Sequence, residues 1–147
     1  ELTLDRARRW SPELRKWWQS FGSILGREVA ALPVPSGLSL DTRAVEFPRS
    51  TTRRLHMRDL NIVTDRFGVF DVILATNILV YYDAGEQALA MANIAGMLPA
   101  GGLFLTNDYV APSAGLKLLT TRDVIYSDVR DDEDRIYVYV KSAFAGR

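Results

Sequence analysis

Cysteine is absent from the sequence. That excludes disulfides, thiolate nucleophiles and cysteine-based metal sites, and it suits a reducing, cytoplasmic setting. Histidine occurs once, at His56, so paired-histidine metal spacing is ruled out. A lone histidine in a strand-like pattern is more often packing or surface than catalyst. Neither HExxH nor GxSxG occurs, which removes the common zinc-hydrolase and nucleophile-elbow chemistries. The run Asp131-Asp132-Glu133-Asp134 lacks the glycine and the spacing of a calcium loop. No metal is expected.

An excess of one charge is also missing, because 18 Lys plus Arg balance 18 Asp plus Glu. A neutral chain has no broad electrostatic grip on nucleic acid or on an anionic membrane, and neither partner is expected. The clusters Arg6-Ala7-Arg8-Arg9 and Thr52-Arg53-Arg54 are short and broken by apolar residues, as on a solvated helix face. No apolar run reaches membrane-spanning length, and Glu1-Leu2-Thr3-Leu4-Asp5 has no apolar signal core. The chain starts with Glu rather than Met, as a processed or trimmed piece of something longer would.

What remains is the composition of a globular chain: 147 residues, 48% hydrophobic and 24% charged. Ser11-Pro12-Glu13 has a helix-start pattern, with Ser as N-cap and Pro at the first helical position. Leu14, Trp17, Trp18, Phe21 and Leu25 then recur at helical steps, with Gly22 or Gly26 as the stop. Ala31 to Gly37 contains Pro33 and Pro35 and reads as a connector. Leu38 to Phe47 alternates as a short strand does. Thr51 to Leu55 is expected to form one helical turn, and Leu55 to Val63 a second strand running into a loop.

From Phe70 the pattern sharpens. Phe70 to Thr76 is a near-continuous apolar run rich in β-branched residues, which predicts a strand buried on both faces of a parallel sheet. Asp83 and Glu86 have capping-box spacing. They open a helix to Leu98 whose inner residues are Leu89, Ala92, Ile94, Ala95, Met97 and Leu98. Pro99 and Gly101-Gly102 turn the chain into a strand at Leu103 to Thr106, parallel to the first through a right-handed crossover. Val124 to Ser127 and Ile136 to Val140 flank the acidic stretch and read as a terminal antiparallel hairpin.

Ligands of open α/β sheets collect beyond the carboxyl ends of parallel strands. Three such ends carry polar groups. Asp59-Leu60-Asn61 can accept from a ribose hydroxyl or an adenine amino group, or can form an Asx-stabilised turn. Asn77 follows the most buried run, where a polar side chain needs a partner, and it is the leading candidate. Tyr81 and Tyr82 can wall a substrate pocket, although packing is the commoner role of such rings. Asn107-Asp108-Tyr109 points to the same edge and can touch substrate or make a turn.

Phe70 to Asp83, then Gln87, Ala88 to Leu98, Pro99 and Gly101 to Leu105, resemble the strand, helix, strand region of class I S-adenosylmethionine-dependent methyltransferases. The chemotaxis-receptor methyltransferase group is the nearest in pattern, with an Asn box that ends in an aromatic pair and a Leu-x-Pro-Gly-Gly turn. Asn77 matches that box's Asn, Tyr81 and Tyr82 its aromatic pair, and Asp59 and Asn61 its loop near the adenine. Thr76 stands where that group has Arg, and the family's glycine-rich loop after the first strand has no counterpart here.

The resemblance implies a partial Rossmann-like α/β sheet, mostly parallel, closed by an antiparallel hairpin and preceded by an N-terminal helix. It implies domains at 1–37 (helical segment and connector) and 38–147 (methyltransferase-like). The cofactor would be S-adenosylmethionine, at Asp59, Leu60, Asn61, Thr76 and Asn77. Tyr81, Tyr82 and Asn107 would face an unidentified acceptor, small molecule or protein, with no general base evident. The chain would then be the carboxyl-terminal part of an enzyme whose first strand lies upstream, binding cofactor poorly and turning over slowly by itself. The rival expectation is a non-catalytic module that holds a partner, or a second copy of itself, through an N-terminal helix bearing Trp10, Trp17 and Trp18. A nicotinamide-dependent enzyme would need a GxGxxG pattern that the sequence lacks.

Overall fold

The computed structural model describes residues 2–24 and 26–143, with the side chains of Leu2 and Thr3 left aside. They fall into two compact units: one runs to Met57 and includes Ile125–Glu133, the other takes Arg58–Val124 and the chain from Asp134 onward. The division lies twenty residues beyond the 37/38 boundary read from the sequence. Its cause is the strand at 40–46, which pairs with segments on its amino-terminal side.

In the first unit, β3 (Leu40–Glu46) is the middle of an antiparallel sheet between β1 (Leu2–Asp5) and β2 (Arg27–Val29). The expected N-terminal helical segment is therefore a helix set between two strands. Gly26 permits the β2 approach: its φ is +76°, and a Cβ there would lie 2.5 Å from the Glu46 carbonyl oxygen.

Helix α1 (Pro12–Ser20) begins as expected, with Pro12 in its first turn and the Ser11 hydroxyl accepting from the Leu14 N–H at 3.1 Å. It stops at Ser20, before the turn at Gly22 (φ +91°). None of its residues is buried; Trp17 is 56% exposed and stacks edge-on against Phe21 at 4.5 Å. Leu25 lies outside the described residues. Arg43 ties the helix to the sheet. Its guanidinium donates to the Trp18 carbonyl at 2.8 Å, covers the Trp18 ring at 5.2 Å and pairs with Glu28 at 2.5 Å. A four-residue helix, α2 (Arg49–Thr52), follows β3, so the helical turn falls two residues earlier than expected.

The predicted strand at Leu55 to Val63 does not form. That segment is irregular chain and turn, because no neighbouring strand offers it a ladder.

The second unit holds a sheet in the order β4 (Val72–Ala75), β5 (Leu103–Thr106), β7 (Glu133–Lys141), β6 (Leu116–Ile125). β4 and β5 pair in parallel, with Ile73 opposite Phe104, and α3 (Ala84–Gly96) is the crossover. β5 and β7 are antiparallel, with Phe104 opposite Tyr139. The expected mostly parallel sheet is thus corrected, since β4–β5 is the one parallel pair that the described residues form. β6 and β7 make the terminal hairpin, which starts well before the expected Val124.

β4 is also not buried on both faces. It is an edge strand, with Val72 56% and Leu74 66% exposed and only Ala75 fully buried. The core lies on the other face, where Ala90, Met91, Ile94 and Ala95 of α3 pack against Phe104, Tyr139, Leu79 and Leu116. Leu89, expected inside, is exposed. Each fully buried large side chain contributes about 1.5–3 kcal/mol. No helix among the described residues is long and apolar enough to cross a membrane.

The centre of this core carries one satisfied phenol. Tyr139 stacks on Phe104 at 5.7 Å, donates to the Val110 carbonyl at 2.6 Å and accepts the Val110 N–H at 3.2 Å. Burial pushes its ionisation above the ordinary phenol range, partly offset by the Val110 bond. Its favourable contribution is therefore complete below the unfolded phenol's pKa of about 10 and is lost as pH rises through the higher folded value. Tyr139→Phe should cost about 1–3 kcal/mol in urea unfolding at neutral pH, because it strands both Val110 groups. The same variant should remove part of the loss of stability that the parent shows above about pH 10.

Candidate functional site

The carboxyl ends of β4 and β5 lie side by side because the two strands are parallel and adjacent. The loops that leave them are bound to each other by side chains. Asn77 has a φ of +55°, a left-handed conformation that asparagine tolerates better than most residues. In that pose its backbone N–H reaches the Asn107 Oδ1 at 2.8 Å, and the Asn107 Nδ2 returns to the Asn77 Oδ1 at 2.9 Å. The expected cofactor residue and the expected substrate residue therefore satisfy one another.

Asp108 extends the bracket. Its Oδ2 accepts from the Leu79 and Val80 N–H groups at 3.0 and 3.2 Å, while its Oδ1 makes no hydrogen bond among the described residues. Those two donors open the short 3-10 turn Leu79–Tyr81. Gln87 of α3 closes the turn by donating to the Leu79 and Tyr82 carbonyls at 3.0 and 3.2 Å. The capping box forms in full, with the Asp83 carboxylate accepting from the Glu86 N–H and the Glu86 carboxylate from the Asp83 N–H.

A second wall comes from the loop before β4. Asn93 of α3 donates to the Ile62 and Val63 carbonyls at 2.9 and 2.8 Å and accepts from the Arg66 Nε at 2.8 Å. Arg66 lies across the helix at Gly96, where a Cβ would sit 2.8 Å from its Nη1. The loop so held places Leu60 on the rim of an apolar cavity of about 270 Å³. Ile73, Ala75, Ile78 and Tyr82 share that lining.

The eight residues expected at the site thus separate. Leu60 and Tyr82 share the cavity, and Asn77 and Asn107 share hydrogen bonds. Asn61 caps a turn, accepting from the Val63 N–H at 3.0 Å and donating its own N–H to Asp65 at 3.2 Å. That is the Asx-turn reading of this residue. Asp59 and Thr76 are exposed, and their side chains make no hydrogen bond among the described residues. Tyr81 points into solvent at 80% exposure. Asp108 belonged to the third candidate strand end, whereas Gln87, Asn93 and Arg66 did not stand out as site residues in the sequence. Their roles depend on which face α3 turns toward the strand-end turn and the 60–66 loop, which spacing alone does not give. Among the described residues, no three His, Asp or Glu side chains group closely enough to hold a metal ion.

No family model and no curated protein matches the chain. Among solved structures, the chain is similar to two of the N-methyltransferase NodS from Bradyrhizobium japonicum WM9. The one in complex with S-adenosyl-l-homocysteine has 17% identity and a TM-score of 0.49, covering 65% of this chain and 59% of that one. The other has 17% identity and a TM-score of 0.47, covering 65% of each chain. The chain therefore spans less than two thirds of either structure.

The Asn77 bracket is testable by two substitutions. Asn77→Gly removes the amide but keeps the backbone pose, whereas Asn77→Ala removes the amide and also penalises the positive φ. In urea unfolding, Asn77→Ala should be the less stable of the two by about 1 kcal/mol. Equal stabilities would mean that the left-handed pose is not kept in solution.

Proposed function

We propose that the chain is the carboxyl-terminal part of an S-adenosylmethionine-dependent methyltransferase. The observation that carries this reading is the pair of parallel strand ends bracketed by Asn77 and Asn107, beside a cavity whose rim is Leu60. A flat heterocycle fits a small cavity with apolar walls, and the Asp59 carboxylate on the adjoining loop, without a hydrogen bond among the described residues, can accept from an amino or hydroxyl group. The residues present fit the adenosine part of the cofactor. No glycine-rich loop for its methionine part stands at either parallel strand end.

When bound, the cofactor supplies an already activated methyl group. What remains for the protein is alignment and exclusion of water. Leu60, Ala75 and Ile78 would hold the ring, Asp59 and Thr76 would meet its polar edge, and Asn77 would fix the loop backbone. Tyr81, Tyr82 and Asn107 would face the acceptor. Direct transfer needs no covalent intermediate on the enzyme. The reading extends to the class and not to the chemotaxis-receptor group, because Thr76 replaces that group's Arg.

A second reading is favoured by one observation: Trp17 stands exposed on α1, as a residue of a docking surface would. The chain would then be a methyltransferase-like module that holds a protein partner or a second copy of itself.

Calorimetric titration with S-adenosylmethionine and S-adenosylhomocysteine separates the two. Binding at micromolar to millimolar levels that weakens about ten-fold in Leu60→Asp, a change of about 1.4 kcal/mol, is the expected result. Silence with this chain, and again with any longer chain that contains it, would leave the partner-holding module as the account.

A further inference from the structure

The sheet of the second unit has a long open side. β6 ends the order β4-β5-β7-β6, and no strand lies beyond it among the described residues. Its ten residues include neither Pro nor Gly, and all of those after Leu116 are exposed. Leu119 is 59% exposed and Leu118 38%. Such an edge carries a row of N–H and C=O groups that point away from its own sheet and can pair with another chain.

Natural edges are commonly guarded by charge, and Lys117, Arg122 and Asp123 are the charges of this one. Their order makes the guard self-complementary. Lys117 and Asp123 lie at equal distances on either side of Thr120. When a second copy of the strand runs antiparallel about a two-fold axis at Thr120, Lys117 of each copy falls opposite Asp123 of the other. Leu119 then meets Thr121, Leu118 meets the aliphatic stem of Arg122, and Leu116 meets Val124. Moving the axis half a residue toward Leu119 sets Lys117 against Arg122. Moving it as far toward Thr121 sets Lys117 against Val124 and removes both charge pairs.

We infer that the outer edge of β6 binds a second copy of this chain, strand to strand and antiparallel about Thr120, so that two sheets become one. The contact stands apart from the methyltransferase reading and from the exposed tryptophan of α1. Asp123 is prepared for it, because Arg135 of the adjacent β7 donates to both of its oxygens at 2.6 and 3.2 Å and fixes the carboxylate. A carboxylate has lone pairs left after two such bonds. Lys117 makes no hydrogen bond or ion pair among the described residues, so its ammonium is available to fill them. Opposite charges facing across an antiparallel pair are favourable, and two-fold symmetry makes the pair twice.

The absence of cysteine provides a direct test, since a single introduced thiol can crosslink only between copies. Residues that face one another across an antiparallel pair have Cα atoms about 4.5–5.5 Å apart, within the reach of a disulfide. Thr120→Cys should therefore give a covalent dimer under mild oxidation, whereas Thr51→Cys on the exposed α2 should give little.

Sedimentation equilibrium of the unsubstituted chain should show exchange between 16.5 kDa and twice that mass, with a Kd on the order of 10–100 μM. Lys117→Glu sets like charges opposite each other and should raise that Kd about five- to twenty-fold, and Lys117→Gln about two- to five-fold. Circular dichroism of each variant should match that of the parent, because the Lys117 side chain makes no bond within its own chain among the described residues.

A single species of monomer mass up to about 1 mM would overturn the inference. Equal Kd values for the parent and Lys117→Glu would do the same, as would equal crosslinking through positions 120 and 51. A dimer that weakens in Trp17→Ala but not in Lys117→Glu would assign the contact to α1 and sink the β6 edge.

Discussion

The second unit depends on one buried amide. Asn93 sits on the face of α3 away from Phe104 and Tyr139, and all of its strong bonds go to a segment with no secondary structure of its own: the carbonyls of Ile62 and Val63 and the side chain of Arg66. A buried side-chain amide left without partners would cost about 1–3 kcal/mol. Here it is satisfied, and the cost of ordering the 60–66 loop is offset by bonds that no ladder supplies. Gly96 belongs to the same arrangement, since it leaves the helix surface bare where the Arg66 guanidinium crosses it. The cavity wall at Leu60 exists because this loop is held. The helix therefore acts on two sides, closing the sheet with its apolar residues and fixing the loop with its polar one.

The strand ends are organised differently. There the bonds are made mostly between exposed or half-buried groups: Asn77 with Asn107, Asp108 with the Leu79 and Val80 N–H groups, and Gln87 with two carbonyls. Bonds of this kind contribute roughly 0.5–1.5 kcal/mol each, so the order of the loops comes from their number and mutual geometry rather than from burial. Loops held in this way are stiff in the folded state yet open at low free energy compared with the core. Such a site can be shaped in advance and still let a ligand in.

Much of the second unit was legible in the sequence, for identifiable reasons. Asp83 and Glu86 declare a helix start by spacing alone, and both halves of the capping box form. Leu103 to Thr106 followed a Gly-Gly turn, and the strand has those same limits. Ser11 and Pro12 likewise marked the start of α1. What could not be read depended on neighbours. Phe70 to Thr76 looks like a strand covered on both sides because hydrophobic content alone does not say whether a second layer is present; here β4 ends the sheet and Val72 and Leu74 face outward. Leu55 to Val63 has strand composition but no ladder to join. β1 and β2 are too short to show a period. At the site, Asn77 was legible as a residue needing a partner. That the partner would be Asn107, another candidate, could not be seen, because the match depends on a positive φ and on parallel register.

The division of the chain has a spectroscopic consequence. All three tryptophans, Trp10, Trp17 and Trp18, lie in the first unit, while five of the six tyrosines, Tyr81, Tyr82, Tyr109, Tyr137 and Tyr139, lie in the second. Light absorbed only by indole reports on the β1–β3 sheet and its helix, and near-ultraviolet signals from phenol report chiefly on the sheet that bears the strand ends. The two halves thus carry separate intrinsic optical labels, and a transition that moves one colour without the other reveals which half has melted.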